Sequence, residues 1–248
     1  MQNEKVDYKG FVAASPSDIG EQERHSSALH RAFYENDGLL VHKWRHYLSI
    51  YDRHLSAFCN TPVRFLEIGV SDGGSLRMWR QYFGSKAVIF GIDINPCCAF
   101  LDGEDGSVRI GSQDDAAFLQ SVVAEMAGID IVIDDGSHFP EHQWASFQTL
   151  FPLLNETGVY ICEDLHTAYW PAFGGGCRVP ATFIERTKMI IDDIHADFHD
   201  HPNTVPDANR LINGLFFYNS MVVIEKKPQL RPCHITVGKL TLTLKRDG

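Results

Sequence analysis

The sequence predicts an α/β protein built on a mostly parallel, Rossmann-like sheet with helices on both faces. Three observations carry that expectation. From residue 63 onward, short apolar runs alternate with segments of helical periodicity at the spacing of βαβ units. The run IDIVI at 129–133 has the near-continuous hydrophobic character of a strand covered on both sides. Small and acidic residues also recur just beyond successive runs, where open α/β sheets bind ligands.

Taken in order, residues 1–26 are polar, with Ser15-Pro16-Ser17-Asp18 as turn material, and suggest an arm or a short helix. Leu40, Trp44, Tyr47, Leu48, Tyr51 and Leu55 fall at helical spacing, which predicts an amphipathic helix over 39–58, closed by Pro62. Residues 1–60 are thus expected to form an arm and helical lid, and 61–248 the main domain. Strands are predicted at 63–69, 87–93, 107–111, 129–134 and 158–163, and helices at 75–83, 116–126 and 142–154. A Gly/Pro-rich stretch at 171–180, a helical segment at 183–198 and a polar loop at 199–209 follow. This insertion, 171–209, is too long for a plain connection and is expected to bind substrate. Residues 215–225 and 235–244 suggest two strands of an antiparallel edge.

Bulk properties exclude several functions. With 22 Lys+Arg against 32 Asp+Glu, the formal net charge of -10 and the lack of a basic run would repel a phosphate backbone, so no nucleic-acid partner is expected. The six cysteines show neither C-x-x-C nor zinc-ligand spacing, as expected of reduced cytosolic thiols. The N-terminal MQNEKVDYKG lacks an apolar core and no run is long enough to cross a bilayer. The expectation is a cytoplasmic protein with no membrane partner, acting on small molecules.

The first candidate site is the loop after the first strand, Glu67-Ile68-Gly69-Val70-Ser71-Asp72-Gly73-Gly74-Ser75. Gly69 and Gly73 permit close backbone approach to a ligand, and Ser75 opens the following helix. The loop is neither G-x-G-x-x-G nor a P-loop, and Glu67 suits a cationic ligand better than a pyrophosphate. Asp93, at the end of the second strand, is placed to accept from two ribose hydroxyls, with Ser112 and Gln113 beyond the third strand. Adenosine with a positively charged tail describes S-adenosylmethionine. A structural turn is the bland alternative.

The second candidate is acidic. Asp135, Glu163 and Asp164 come from two strand ends expected to be neighbours, and three converging carboxylates need a cation to stay ionised together. Hard oxygen ligands without cysteine favour Mg²⁺. Asp134, pointing the other way along the strand, is expected on the cofactor side. Helix caps or a solvated rim would also explain such acids. His138 is a candidate general base, since imidazoles titrate near neutral pH. A zinc pair of His138 and His142 is disfavoured by Pro140 between them. Lys43, Trp44 and His46 in the early helix, with His166, Tyr169 and Trp170 after the fifth strand, would give a mouth suited to a sugar or polyketide.

The segments FLEIGVSDGGSLRMWRQYF, VIFGIDINP, VRIGSQDD, IDIVIDDGSH and CEDLHTAYWPAFGGG together resemble the metal-dependent sugar O-methyltransferases of macrolide antibiotic biosynthesis, and rhamnosyl O-methyltransferases, over about residues 34–225. The resemblance implies a class I S-adenosylmethionine-dependent methyltransferase fold with a seven-stranded sheet. It also implies Mg²⁺ held by Asp135, Glu163 and Asp164, His138 as base, and Glu67, Gly69, Asp93, Ser112, Gln113 and Asp134 at the cofactor. Tyr34-Glu35-Asn36-Asp37 resembles a segment that closes over the cofactor, bringing in Asn36, but Gly38 stands where the family usually has Lys. Larger members carry an extra N-terminal domain, for which 248 residues are expected to leave no room. The implied acceptor is a glycosylated macrolide or polyketide, and a homo-oligomer, dimer or tetramer, is expected. An oxidative tailoring protein like those that modify cephalosporins, or a non-catalytic cofactor-binding subunit, are the alternatives.

Overall fold

The computed structural model describes residues 14–199 and 210–239. Seven strands form one sheet: β1 (Arg64–Ile68), β2 (Val88–Asp93), β3 (Ser107–Ile110), β4 (Ile129–Asp134), β5 (Leu154–Cys162), β6 (Ile212–Tyr218) and β7 (Met221–Lys226). Their order is β3-β2-β1-β4-β5-β7-β6. Pairings among β1 to β5 are parallel, whereas β7 runs antiparallel to both β5 and β6. The helices are α1 (Glu21–Arg24), α2 (Ala28–Tyr34), α3 (Tyr47–Leu55), α4 (Gly74–Phe83), α5 (Ala116–Glu125), α6 (Pro140–Leu150) and α7 (Phe183–Ile194).

The two-residue period of the strands divides the core into two layers. Phe65, Ile131, Ile133, Val159, Ile161 and Val223 pack on one face against Leu48, Tyr51 and Leu55 of α3 and Leu76 and Trp79 of α4. Leu66, Val132, Tyr160, Cys162, Val222 and Ile224 face the other way, onto α5, α6 and α7. The described part of the expected arm and lid therefore shares the sheet's core through α2 and α3. The same parity decides where the acids go. Glu67 and Glu163 continue the first face and Asp135 follows the same alternation, whereas Asp134 belongs to the second.

Two sequence expectations change. The helix predicted over 39–58 is realised only at α3, so Lys43, Trp44 and His46 precede it. Residues 39–46 instead cross the sheet's ligand-binding end as a strap, spending their backbone on long-range contacts: Gly74 N–H donates to the Leu40 carbonyl at 3.1 Å. A Cβ at Gly74 would lie 2.2 Å from the Leu39 oxygen, so glycine there is what lets the strap approach. The edge is also different. β6 and β7 form a hairpin turning at Asn219-Ser220, where Ser220 has φ 63°, so the run at 215–225 is two strands rather than one. Residues 235–239 carry no strand, and 240–244 lie outside the described residues, as do 200–209 of the predicted loop. Among the described residues, no helix is long and apolar enough to cross a membrane.

Candidate active site

A cavity of about 400 Å³ opens beyond the carboxyl ends of β1, β2 and β4, roofed by Leu40, Val41, His42 and Lys43 of the strap. Gly69, Ser75, Asp93, Ser112 and Gln113 line it, together with Asp135, His138 and Asp164. Its size falls within the range of small-molecule sites. Ser71, His138 and Asp164, three of its lining residues, hold the left-handed backbone conformation with φ of 45°, 61° and 56°. Such conformations cost non-glycine residues of order 1–3 kcal/mol and gather at functional sites.

Gly69 shows why its position is glycine. Its φ is 88°, and a Cβ there would lie 2.2 Å from the carbonyl oxygen of Asp135. The Gly69→Ala variant is expected to lose at least about 1–2 kcal/mol of stability from the backbone conformation alone, measured by urea denaturation; an unchanged midpoint would contradict this packing.

Asp93 holds the cavity rim: its two oxygens accept from Ser71 N–H at 3.0 Å and Asn95 N–H at 2.8 Å. Gln113 accepts from Ser137 N–H at 2.7 Å and donates to Asp134 Oδ1 at 3.0 Å. Several residues expected at the cofactor do not line the cavity. Asp134 is fully buried on the second face, accepting also from Ser146 Oγ at 2.5 Å and Tyr160 at 2.8 Å. Burial raises its pKa, and the Ser146, Tyr160 and Gln113 hydrogen bonds oppose the rise. It braces Gln113 from behind. Glu67 is likewise buried and accepts from Ser75 Oγ at 2.6 Å and Trp79 Nε1 at 3.2 Å, tying β1 to α4. Gly73 caps α4, and Asn36 donates to the Leu39 carbonyl at 2.8 Å, steadying the strap.

The carboxylates at the ends of β4 and β5 are arranged differently from the predicted trio. One oxygen each of Asp135 and Asp164 and one ring nitrogen of His138 lie within 4.8 Å of one another, a grouping able to hold a metal ion. His138 Nε2 is 3.9 Å from Asp135 Oδ1 and 4.0 Å from Asp164 Oδ2, and its Nδ1 is buried with no hydrogen-bond partner. Tyr47 donates to Asp164 Oδ1 at 2.8 Å. Glu163 stands behind this group. It takes the Tyr51 hydroxyl on one oxygen and the Lys43 ammonium at 2.9 Å on the other.

Lys43 is the residue that sequence reasoning missed in this role. Its Nζ also lies 2.6 Å from Asp135 Oδ2 and 3.6 Å from Glu67 Oε1, and its side chain is 2% exposed. Burial works against its charge, yet the three carboxylates outweigh it and lift its pKa well above the usual lysine range. Burial pushes Asp135 up to about 6, with Lys43 opposing and Asp164 reinforcing the rise.

The aromatic residues expected at the mouth lie beside this centre rather than in the cavity wall. His166 accepts or donates at Ser220 Oγ, 2.7 Å away, and its ring meets those of Trp44 and Trp170. Trp170 leads on to Phe173, which stands 6.3 Å, centroid to centroid, from His138. Tyr169 is half exposed.

The sheet order with its single reversed strand and the cavity above β1 define a class I S-adenosylmethionine-dependent methyltransferase fold. The MycE methyltransferase of the mycinamycin pathway, solved with Mg, S-adenosylhomocysteine and mycinamycin VI, superimposes with a TM-score of 0.72 at 34% identity, covering 82% of this chain and 54% of that one. By sequence, the chain is 39% identical over 195 residues to the 8-demethyl-8-(2-methoxy-alpha-L-rhamnosyl)-tetracenomycin-C 3'-O-methyltransferase of Streptomyces olivaceus. It is also 39% identical over 188 residues to the mycinamicin VI 2''-O-methyltransferase of Micromonospora griseorubida. These matches cover 74% and 71% of this chain, but only 50% and 47% of the relatives. Over the matched residues the chain belongs to the family of sugar O-methyltransferases of macrolide and polyketide pathways, and it spans about half the length of those relatives. No family model matches the chain.

Proposed function

We propose that this chain carries the site of an S-adenosylmethionine- and Mg²⁺-dependent O-methyltransferase acting on a sugar hydroxyl of a glycosylated macrolide or polyketide, within antibiotic biosynthesis. The observation that carries it is the convergence of Asp135, Asp164 and His138 at the wall of a nucleoside-sized cavity. Relatives that are O-methyltransferases of such sugars support transfer over the oxidative alternative and over a non-catalytic subunit.

The residues present fit a hard divalent cation. The converging oxygens are carboxylate and, among the described residues, the acids outnumber the single ammonium between them and no thiol lines the site. Asp135 and Asp164 would hold the ion, with Glu163 adjoining them. Such an ion, when bound, supplies a positive charge that acidifies an acceptor hydroxyl and a template for a vicinal pair. Gly69, Ser75, Asp93, Ser112 and Gln113 line the cavity and would hold the methyl donor. His138 takes the acceptor proton as the oxygen attacks: the new C–O bond forms as the S–CH₃ bond breaks, and sulfur keeps the electron pair as S-adenosylhomocysteine. The rings of Trp170 and Phe173, with His166 and Tyr169 nearby, exclude water and offer an apolar face to the glycoside.

Incubation with labelled methyl donor, Mg²⁺ and a panel of glycosylated macrolides and polyketides tests the reading. Added chelator is expected to abolish transfer while leaving S-adenosylhomocysteine binding, followed by calorimetry, within a few-fold of its metal-loaded value. Transfer at full rate in chelator would refute the metal role. A homo-oligomer belongs to the same proposal, supported by the outer edge of β6, which ends the sheet among the described residues and carries the exposed Phe217. Sedimentation velocity showing only a monomer would overturn it.

A further inference from the structure

The acid cluster raises a problem of charge. Glu67, Asp135 and Glu163 approach one another from the ends of three adjacent strands, and Asp164 adds a fourth carboxylate beside them. Buried ions of one sign do not assemble without a counter-charge. In this structure that charge is the Lys43 ammonium, reaching in from the strap to within 2.6 Å of Asp135, 2.9 Å of Glu163 and 3.6 Å of Glu67. Asp135 is shared. Its Oδ2 receives Lys43, while its Oδ1 faces His138 in the group with Asp164. An ion held by Asp135 and Asp164 would therefore lie a single carboxylate away from a fixed, water-excluded positive charge, where like charges repel far more strongly than in bulk water.

We propose that Lys43 is a built-in counter-cation of the acid cluster: it holds Asp135 and Glu163 in place before any metal arrives, and its charge limits how tightly the site binds a divalent ion. The inference rests on the assignment of Asp135 and Asp164 as metal ligands made above. It makes Lys43 a positioning residue, since it acts through two carboxylates and not on the acceptor. It also gives the strap a reason to cross the sheet, because the four residues that roof the cavity end in the side chain that pairs with Asp135 in its wall.

Mn²⁺ titration of the full chain, followed by electron paramagnetic resonance, tests this on Lys43→Met, Lys43→Gln and Lys43→Arg. The Met and Gln variants are expected to bind Mn²⁺ about tenfold or more tightly than the unmodified chain, because a nearby like charge has been removed. Their melting temperatures should be lower in chelator and recover on adding Mn²⁺ by more than the parent gains. Lys43→Arg, which keeps the charge, should bind Mn²⁺ like the parent. A purely structural lysine would lower the melting temperature without tightening the metal. Unchanged or weaker Mn²⁺ affinity in both neutral variants overturns the proposal. So does failure of both to fold with or without Mn²⁺, since the ion then does not replace the ammonium. The underlying ligand assignment fails separately: if Asp164→Asn leaves Mn²⁺ affinity intact in the parent background, the function proposed above is wrong whatever Lys43 does.

Discussion

His138→Ala is expected to lower kcat by about 10²- to 10⁴-fold, the usual contribution of a positioned general base, while leaving Mn²⁺ affinity within a few-fold of the parent. The imidazole sits at the junction of the two carboxylates, with Nε2 about equally distant from each, and the backbone holds it there at φ 61°. A non-glycine residue is not kept in that conformation by local preference. KM for the glycoside should change little, because a proton acceptor works in the transition state and adds little to ground-state binding. Turnover near that of the parent would remove His138 from the chemistry. Loss of metal together with turnover would make it a ligand instead of a base.

The second large effect is expected from Asp164→Asn. The substitution is isosteric and keeps an oxygen for the Tyr47 hydroxyl, but removes one of the two charges offered to the ion. Methyl transfer should fall below detection at Mg²⁺ concentrations that saturate the parent, with Mn²⁺ affinity reduced by tenfold or more on the scale of one close charge pair. Asp134→Asn is the informative control. Asp134 is adjacent to Asp135 in sequence, yet it faces the opposite layer and accepts from Gln113, Ser146 and Tyr160. Its substitution should cost about 1–3 kcal/mol of stability, the range for disturbing a buried hydrogen-bonded group, and leave Mn²⁺ affinity unchanged. Equal loss of metal in both variants would mean that strand parity does not sort these acids.

That parity was legible in the sequence. A buried strand ending in two acids must send them to opposite faces, and Asp134 and Asp135 do part in this way; the destination of Asp134 was not legible. Whether it meets a ligand or a helix depends on Ser146 of α6 and Tyr160 of β5, and no local pattern announces that contact. The alternation of β1 through β5 with helices was readable because each element carries its own period. The β6–β7 hairpin was not, because its two strands abut across Asn219-Ser220 and read as one apolar run. Lys43 was hidden for a related reason. It lies 92 residues from Asp135, and the apolar spacing of α3 extends into the strap, so in sequence a cation of the acid cluster looks like part of a helix. Charge balance supplied the only clue. Three converging acids demand a positive group, and the protein's own ammonium meets part of that demand beside any metal.

The proposed divalent ion sits at the acidic ends of β4 and β5, against the methyl donor. Anomalous diffraction from a crystal grown with Mn²⁺ and S-adenosylhomocysteine tests it most directly. The expected result is one strong peak bonded to Asp135 and Asp164 at about 2.1 Å, as hard divalent ions bind carboxylate oxygen, with the cofactor in the cavity under the strap. A peak elsewhere, or none with the cofactor bound and Lys43 alone among the acids, would contradict it.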